Sequence, residues 1–461
     1  MEEQLTVSPS PGPGEGGKAS LFSNKDLFFL FLPLVIEQFL AYLVGLADSI
    51  MVAHVGEAAV SGVSLVDFIM QLLISMFSAL ATGGAVIAGQ YLGCREPENA
   101  RSAADQLIWF AGLAALGIMG VVYALKGPIF SMLFGTISPD VYGHASIYFA
   151  IVVSSIPFLA LYNAGAAIFR TAGNANLPMK IMMAMNVVNV VGNFLCVYIW
   201  NMGTAGIAIP TLISRIGAAV IVLAMAARKT FAVRIQPTFR HKFNGPMIRR
   251  ILSIGIPFGL ENGLFHMGRI VVLSLVSTFG TAAIAANSVS STIVMFQVLP
   301  GMSIGLGLTV IISRCVGQLD YDQAKYFTKK IMLIIYVAHL ITSVLIIALL
   351  PVIFLAYDLS AQATSTAHML IIAHAVVMCL IWPLAYTLPI TFRAAGDAKY
   401  PMAVSISSMV LCRIAMAYLI CRTTSLGMPG TWVAMFIDWA AKAILFTVHY
   451  LRGKWMLYRS I

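Results

Sequence analysis

Ionisable side chains interrupt several long apolar runs of this sequence: Glu37, Asp48, Asp67, Glu261, Arg269, Asp438 and Lys442. In a hydrocarbon environment such a group costs roughly 3 kcal/mol or more unless it is paired or wet, so each is a candidate for chemistry before packing. Asp438 and Lys442 stand four residues apart, and on a helix that spacing pairs them along one face. Glu261 has Arg269 eight residues on, close to the same helix face, so the spacing predicts a Glu261–Arg269 pair. Glu37 and Glu261 each follow a proline, Pro33 or Pro257, by four residues.

Asp48 has no acidic counterpart and needs neutral partners. The nearest polar residues in other apolar runs are Asn163, Asn189, Asn193 and Thr211. Asn189 and Asn193, four apart, share a helix face. One carboxylate with amide and hydroxyl oxygens suits a proton or a hard monovalent cation such as Na+. The imidazole and thiolate ligands that zinc or copper require are missing from the set, so no such metal site is expected.

The elements that must position these groups follow from composition. Of 461 residues, 60% are hydrophobic and 10% charged, far below the quarter that soluble domains carry. Apolar runs long enough to span a bilayer, about 20 residues, cover 27–53, 59–92, 103–125, 144–169, 178–201, 204–226, 250–278, 282–314, 326–350, 361–391, 401–421 and 428–451. Of the 28 Lys and Arg, all but six fall in the tails and loops on the side of the N-terminus. Lys126 and Arg422 lie on the other side, and Arg215, Arg269, Arg413 and Lys442 lie within spans. That asymmetry predicts both termini in the cytoplasm, with the plasma membrane as the location. It also accounts for the net charge of +10 without nucleic-acid binding. The six cysteines form no CxxC pair and no disulfide framework.

The two halves are copies. Pro33 and Pro257, Glu37 and Glu261, Gly56 and Gly280, and Gly93 and Gly317 are each 224 residues apart, and FRTAGNANLPM at 169 returns as FRAAGDAKYPM at 392. In each phrase Gly173 or Gly396 fits a left-handed helix end, and Pro178 or Pro401 fits the first turn of the next helix. The expected fold is an all-α membrane protein. Twelve transmembrane helices form two six-helix bundles related by a pseudo-twofold along the membrane normal. The expected divisions are a disordered tail at 1–24, lobes at 25–226 and 251–452, a basic cytoplasmic linker at 227–250, and a short tail at 453–461.

LADSIMVAHVG at 46, GGAVIAGQYLG at 83, NAGAAIFRTAGNANLPM at 163, NVVNVVGN at 186, GTAGIAI at 203 and GIPFGLENG at 255 complete the pattern. Across about residues 25–450 the chain resembles the multidrug and toxic compound extrusion (MATE) transporters, nearest to their bacterial DinF-like branch. The resemblance implies a secondary antiporter that exports organic, often cationic, drug-like small molecules in exchange for H+ or Na+. It implies no cofactor besides that coupling ion. In that branch coupling belongs to the N-terminal lobe, and the matching positions here are Asp48, Asn163, Asn189, Asn193 and Thr211. The branch has Asp where this chain has Asn193, so one carboxylate is missing. The other bacterial branch places carboxylates in the C-terminal lobe at positions that fall here on Phe265 and Trp382. Glu37, Glu261 and Arg269 remain secondary candidates.

The mechanism expected from this plan is alternating access, with span one bending at Pro33 as the ion binds. A monomer in contact with membrane lipids is sufficient for it. The alternative reading is a lipid-linked oligosaccharide flippase of the same architecture, which would need a strongly cationic cleft. An enzyme is not expected, since no zinc motif, nucleophile elbow or phosphate loop is present.

Overall fold

The computed structural model describes residues 20–134, 138–228, 242–357 and 360–461. Most of the tail expected at 1–24, and the centre of the linker expected at 227–250, lie outside the described residues. Helices dominate the described residues, which include no strand. The chain divides into two compact units, one ending at Gly259 and the other running Leu260–Ser460.

The first unit contains α1 (Asn24–Val55), α2 (Glu57–Gly93), α3 (Pro97–Ala124), the short α4 (Lys126–Phe134), α5 (Pro139–Val153), α6 (Ile156–Thr171), α7 (Asn176–Phe194) and α8 (Ala205–Ala226). Ser23 opens α1 with a reciprocal cap. Its hydroxyl accepts from the Asp26 amide at 3.2 Å, and its own amide donates to Asp26 Oδ2 at 2.8 Å, which satisfies two otherwise orphaned donors. The fourth expected span is two helices, α5 and α6, which together are apolar enough to cross and bend by 46° at their junction. There the Ser154 and Ser155 hydroxyls donate to the carbonyls of Ile151 and Val152, both at 2.6 Å. Hydroxyls that bond back to the preceding turn compete with the helical ladder and allow the break.

α9 (Gly245–Ser277) runs through the unit boundary. Its first half belongs to the first unit, where Arg250 bonds the Tyr91 hydroxyl and the Gln106 side chain bridges Lys242 and Asn244. The second unit continues with α10 (Thr281–Gly317), α11 (Tyr321–Tyr357), α12 (Ala361–Trp382), α13 (Leu388–Ala395), α14 (Lys399–Ser408), α15 (Met416–Thr423) and α16 (Pro429–Leu451). Two π-helical segments, Pro383–Thr387 and Met409–Ala415, join α12 to α13 and α14 to α15, so each pair forms one long span. Among the described residues, ten spans are long and apolar by themselves, and the bent pair makes eleven. α9, equally long at 33 residues, carries Arg249, Arg250, Glu261 and Arg269.

The repeated phrase forms the same turn twice. After α6, the Asn174 amide donates to the Phe169 carbonyl at 2.9 Å, and the Gly173 amide donates to the Arg170 carbonyl at 3.0 Å. After α13, Asp397 donates to Phe392 at 2.9 Å and Gly396 donates to Arg393 at 3.0 Å. The glycines hold φ values of 92° and 111°, where a Cβ is strained. Substituting Gly173→Ala is expected to lower stability by about 1 kcal/mol, read as a lower thermal midpoint in detergent.

Candidate functional site

α7 and α8 approach closely because Gly192 faces Pro210. A Cβ at Gly192 would stand 2.7 Å from Pro210 Cβ. Without a side chain at Gly192, the polar face of α7 reaches Thr211 on the neighbouring helix, as small residues permit in membrane helix pairs. Asn189 Nδ2 donates to Thr211 Oγ1 at 2.9 Å, Asn193 Nδ2 donates to Asn189 Oδ1 at 3.3 Å, and the same Nδ2 donates to Asp48 Oδ1 at 2.7 Å. Asn189, Asn193 and Thr211 are buried, while Asp48 is half-buried. Enlarging Gly192 to Leu is expected to part α7 from α8 and lower stability by about 1–3 kcal/mol, measured by thermal unfolding.

The direction of this chain is set at its far end. Thr211 Oγ1 donates its one proton to the Ile207 carbonyl at 2.9 Å, so toward Asn189 it can only accept. Asn189 therefore offers its carbonyl to Asn193, and Asn193 turns its amino group to Asp48. The carboxylate form of Asp48 meets a donor. Asn193 Oδ1 is buried and has no hydrogen-bond partner. Turning that oxygen to a protonated Asp48 would also turn it to the Asn189 carbonyl, so the exchange costs the Asn193–Asn189 bond.

Asn163, expected with these groups, keeps a buried Nδ2 without a hydrogen bond, as does Asn186 on α7. Asp48 also has charged surroundings that residue spacing does not reveal. Asp67 and Arg215 are the charged groups that act on Asp48. Asp67 accepts from the Tyr148 hydroxyl at 2.9 Å, and Arg215 donates to Ser155 Oγ at 2.7 Å. The Asp48 surroundings thus hold two carboxylates and one guanidinium. Their only sequence signal was charge inside an apolar run. Among the described residues, no three His, Cys, Asp or Glu side chains are grouped to hold a metal.

The secondary candidates are arranged differently from expectation. Glu261 meets Arg393 at 3.6 Å and accepts from Ser405 Oγ at 2.7 Å, so its ion-pair partner is on α13 instead of being Arg269 on its own helix. Glu37, buried, pairs in the same way with Arg170 on α6, and Tyr162 adds a weak bond at 3.4 Å. Each acid is thus held within its own unit by the arginine of the repeated phrase. Asp438 and Lys442 do pair along α16, at 3.1 Å.

A family model described as MatE matches residues 33–195 and again 257–419, two segments offset by the same 224 residues as the internal repeat. An uncharacterized transporter, YisQ, of Bacillus subtilis is 28% identical over 91% of this chain and 92% of its own. A probable multidrug resistance protein of the same organism, YoeA, is 26% identical over 94% of both chains. A solved structure of a multidrug resistance MATE family transporter of the MOP superfamily, in an outward-facing conformation, superposes with a TM-score of 0.87 at 18% identity. It covers 94% of this chain and 96% of its own. At that identity the likeness is one of fold.

Proposed function

Because the chain belongs to the MatE family, we propose that it is a secondary antiporter of the plasma membrane. In this reading both termini are cytoplasmic, and the protein exports drug-like organic compounds in exchange for H+ or Na+. The observation that carries the coupling step is the directed chain from Thr211 through Asn189 and Asn193 to Asp48. A proton or cation at Asp48 alters the hydrogen bond from Asn193 that ties α1 to the buried face of α7. An ion that binds one arrangement of α1 better than another shifts the population towards it, and by no more than that difference in affinity. Asn193 is the element that switches. It donates to the bare carboxylate, and a protonated Asp48 needs an acceptor there instead, which the Asn193 oxygen can supply only at the cost of the Asn193–Asn189 bond.

The multidrug assignment draws on the names of relatives such as YoeA, and the site residues are this chain's own. Ethidium efflux from cells expressing the protein tests the proposal. Accumulation is expected to rise when a protonophore, or for Na+ coupling a sodium ionophore, collapses the gradient. Efflux that is indifferent to both ionophores overturns ion coupling, and no efflux above the empty-vector level for any cationic dye overturns the exporter reading.

A further inference from the structure

The second unit holds a buried charge cluster that the proposed coupling step does not use. Asp438 is fully buried and accepts from Ser408 Oγ at 2.5 Å and from Lys442 Nζ at 3.1 Å. Arg413 approaches the same carboxylate only to 3.7 Å, and its guanidinium makes no hydrogen bond among the described residues. Two cations therefore share one carboxylate. The acid of α9, Glu261, is already matched by Arg393. A buried site with an excess positive charge and unused donors is stabilised by an anion.

Three further features point the same way. Trp439, next to Asp438 in sequence and buried edge-on against Tyr386 at 5.8 Å, has an indole N–H with no hydrogen-bond partner among the described residues, and this donor can be satisfied only by an acceptor. Phe265 and Tyr386 lie over the cations. Arg413 is 5.2 Å from the Phe265 ring, and Lys442 is 5.4 Å from that of Tyr386. The residues that bring Arg413 and Tyr386 here both stand in π-helical segments, a local widening of the helix that recurs at functional sites. Arg413 keeps 11% of its side chain exposed, and Tyr386 is half-buried. The charge balance is the reverse of the Asp48 surroundings, where two carboxylates face one guanidinium.

Resting on the exporter reading, we infer that this cluster is a binding site for the acidic group of an amphipathic organic anion or zwitterion. Arg413, Lys442 and the Trp439 indole hold a carboxylate or phosphate, and Phe265 and Tyr386 receive the attached aromatic or apolar body. Asp438 orients the two cations and keeps the empty site from carrying two unbalanced charges.

The test is equilibrium binding of 1-pyrenebutyrate to the full-length protein in phosphatidylcholine nanodiscs, with 1-pyrenemethylammonium as the charge-reversed control. The carboxylate is expected to bind at least about tenfold more tightly than the ammonium, and Arg413→Gln and Lys442→Gln are each expected to remove about that factor. Trp439→Phe, which keeps an aromatic ring but removes the N–H with the rest of the pyrrole ring, is expected to weaken binding several-fold and, as a variant without a charge change, guards against the charge variants failing to fold. Equal binding of the two probes, or wild-type affinity in Trp439→Phe and in whichever charge variants fold, overturns the site. Replacing part of the phosphatidylcholine with phosphatidylglycerol identifies the source of the anion. Competition assigns the site to a lipid headgroup, and undiminished probe binding assigns it to a freely diffusing compound. Probe binding needs no ion gradient and efflux of ethidium needs no anion, so either reading can fail without the other.

Discussion

Asp48→Asn is expected to abolish ion-dependent ethidium efflux at unchanged expression, with at least a tenfold fall in the gradient-driven rate. Asparagine nearly preserves the shape of the side chain and its hydrogen bonding to Asn193, so α1 and α7 stay together. It removes the one property the coupling needs, a charge that a proton or cation can cancel. Without that difference the ion has equal affinity for both arrangements, and a ligand with equal affinity shifts nothing. Thr211→Val is a useful companion. It releases the end of the chain that fixes the Asn189 and Asn193 amides, so a partial loss of coupling is expected, smaller than that of Asp48→Asn. Gradient-dependent efflux in Asp48→Asn equal to wild type would remove Asp48 from the mechanism.

The second large effect concerns stability. Arg170→Ala is expected to lower the unfolding free energy by about 3–5 kcal/mol, because it leaves the Glu37 carboxylate buried without its cation. Glu37 Oε2 already lacks a partner, and the weak Tyr162 hydroxyl bond at 3.4 Å is the donor left to Oε1. The double variant Glu37→Gln, Arg170→Gln is expected to recover part of the loss, since it removes the unpaired charge along with the pair. Arg393→Ala should lower stability in the second unit for the same reason. Thermal unfolding in detergent measures all three. An Arg170→Ala midpoint matching the wild type would show that Glu37 is held by something else.

The helices were legible in the sequence because each apolar run has the length of a bilayer crossing and the basic residues mark the ends. The bend between α5 and α6 was not, because two serines in an otherwise apolar run do not announce which carbonyls their hydroxyls will bond. The Asp48 chain was partly legible. Asn189 and Asn193 share a helix face by spacing alone, and both lie at the hydrogen-bonded centre, whereas Asn163 contributes no bond from its amino group. The pairing of Glu261 was misread because helix periodicity reports only neighbours on one helix. Its partner lies 132 positions on, at Arg393. The signal that could have found it was the repeat itself, since an acid and an arginine recur together in both halves. Arg413 has no partner by spacing, and the structure places it on Asp438, the carboxylate that spacing already pairs with Lys442.

The two braces, Glu37 with Arg170 and Glu261 with Arg393, also set how the protein responds to heat. The penalty for stripping water from an ion pair shrinks as temperature rises, whereas the hydrophobic contribution levels off. A variant with Glu37→Leu and Arg170→Met should therefore match or exceed the natural chain near room temperature and lose that advantage on warming. A matched pair of braces, one in each half, makes thermal tolerance a shared property of the duplicated units.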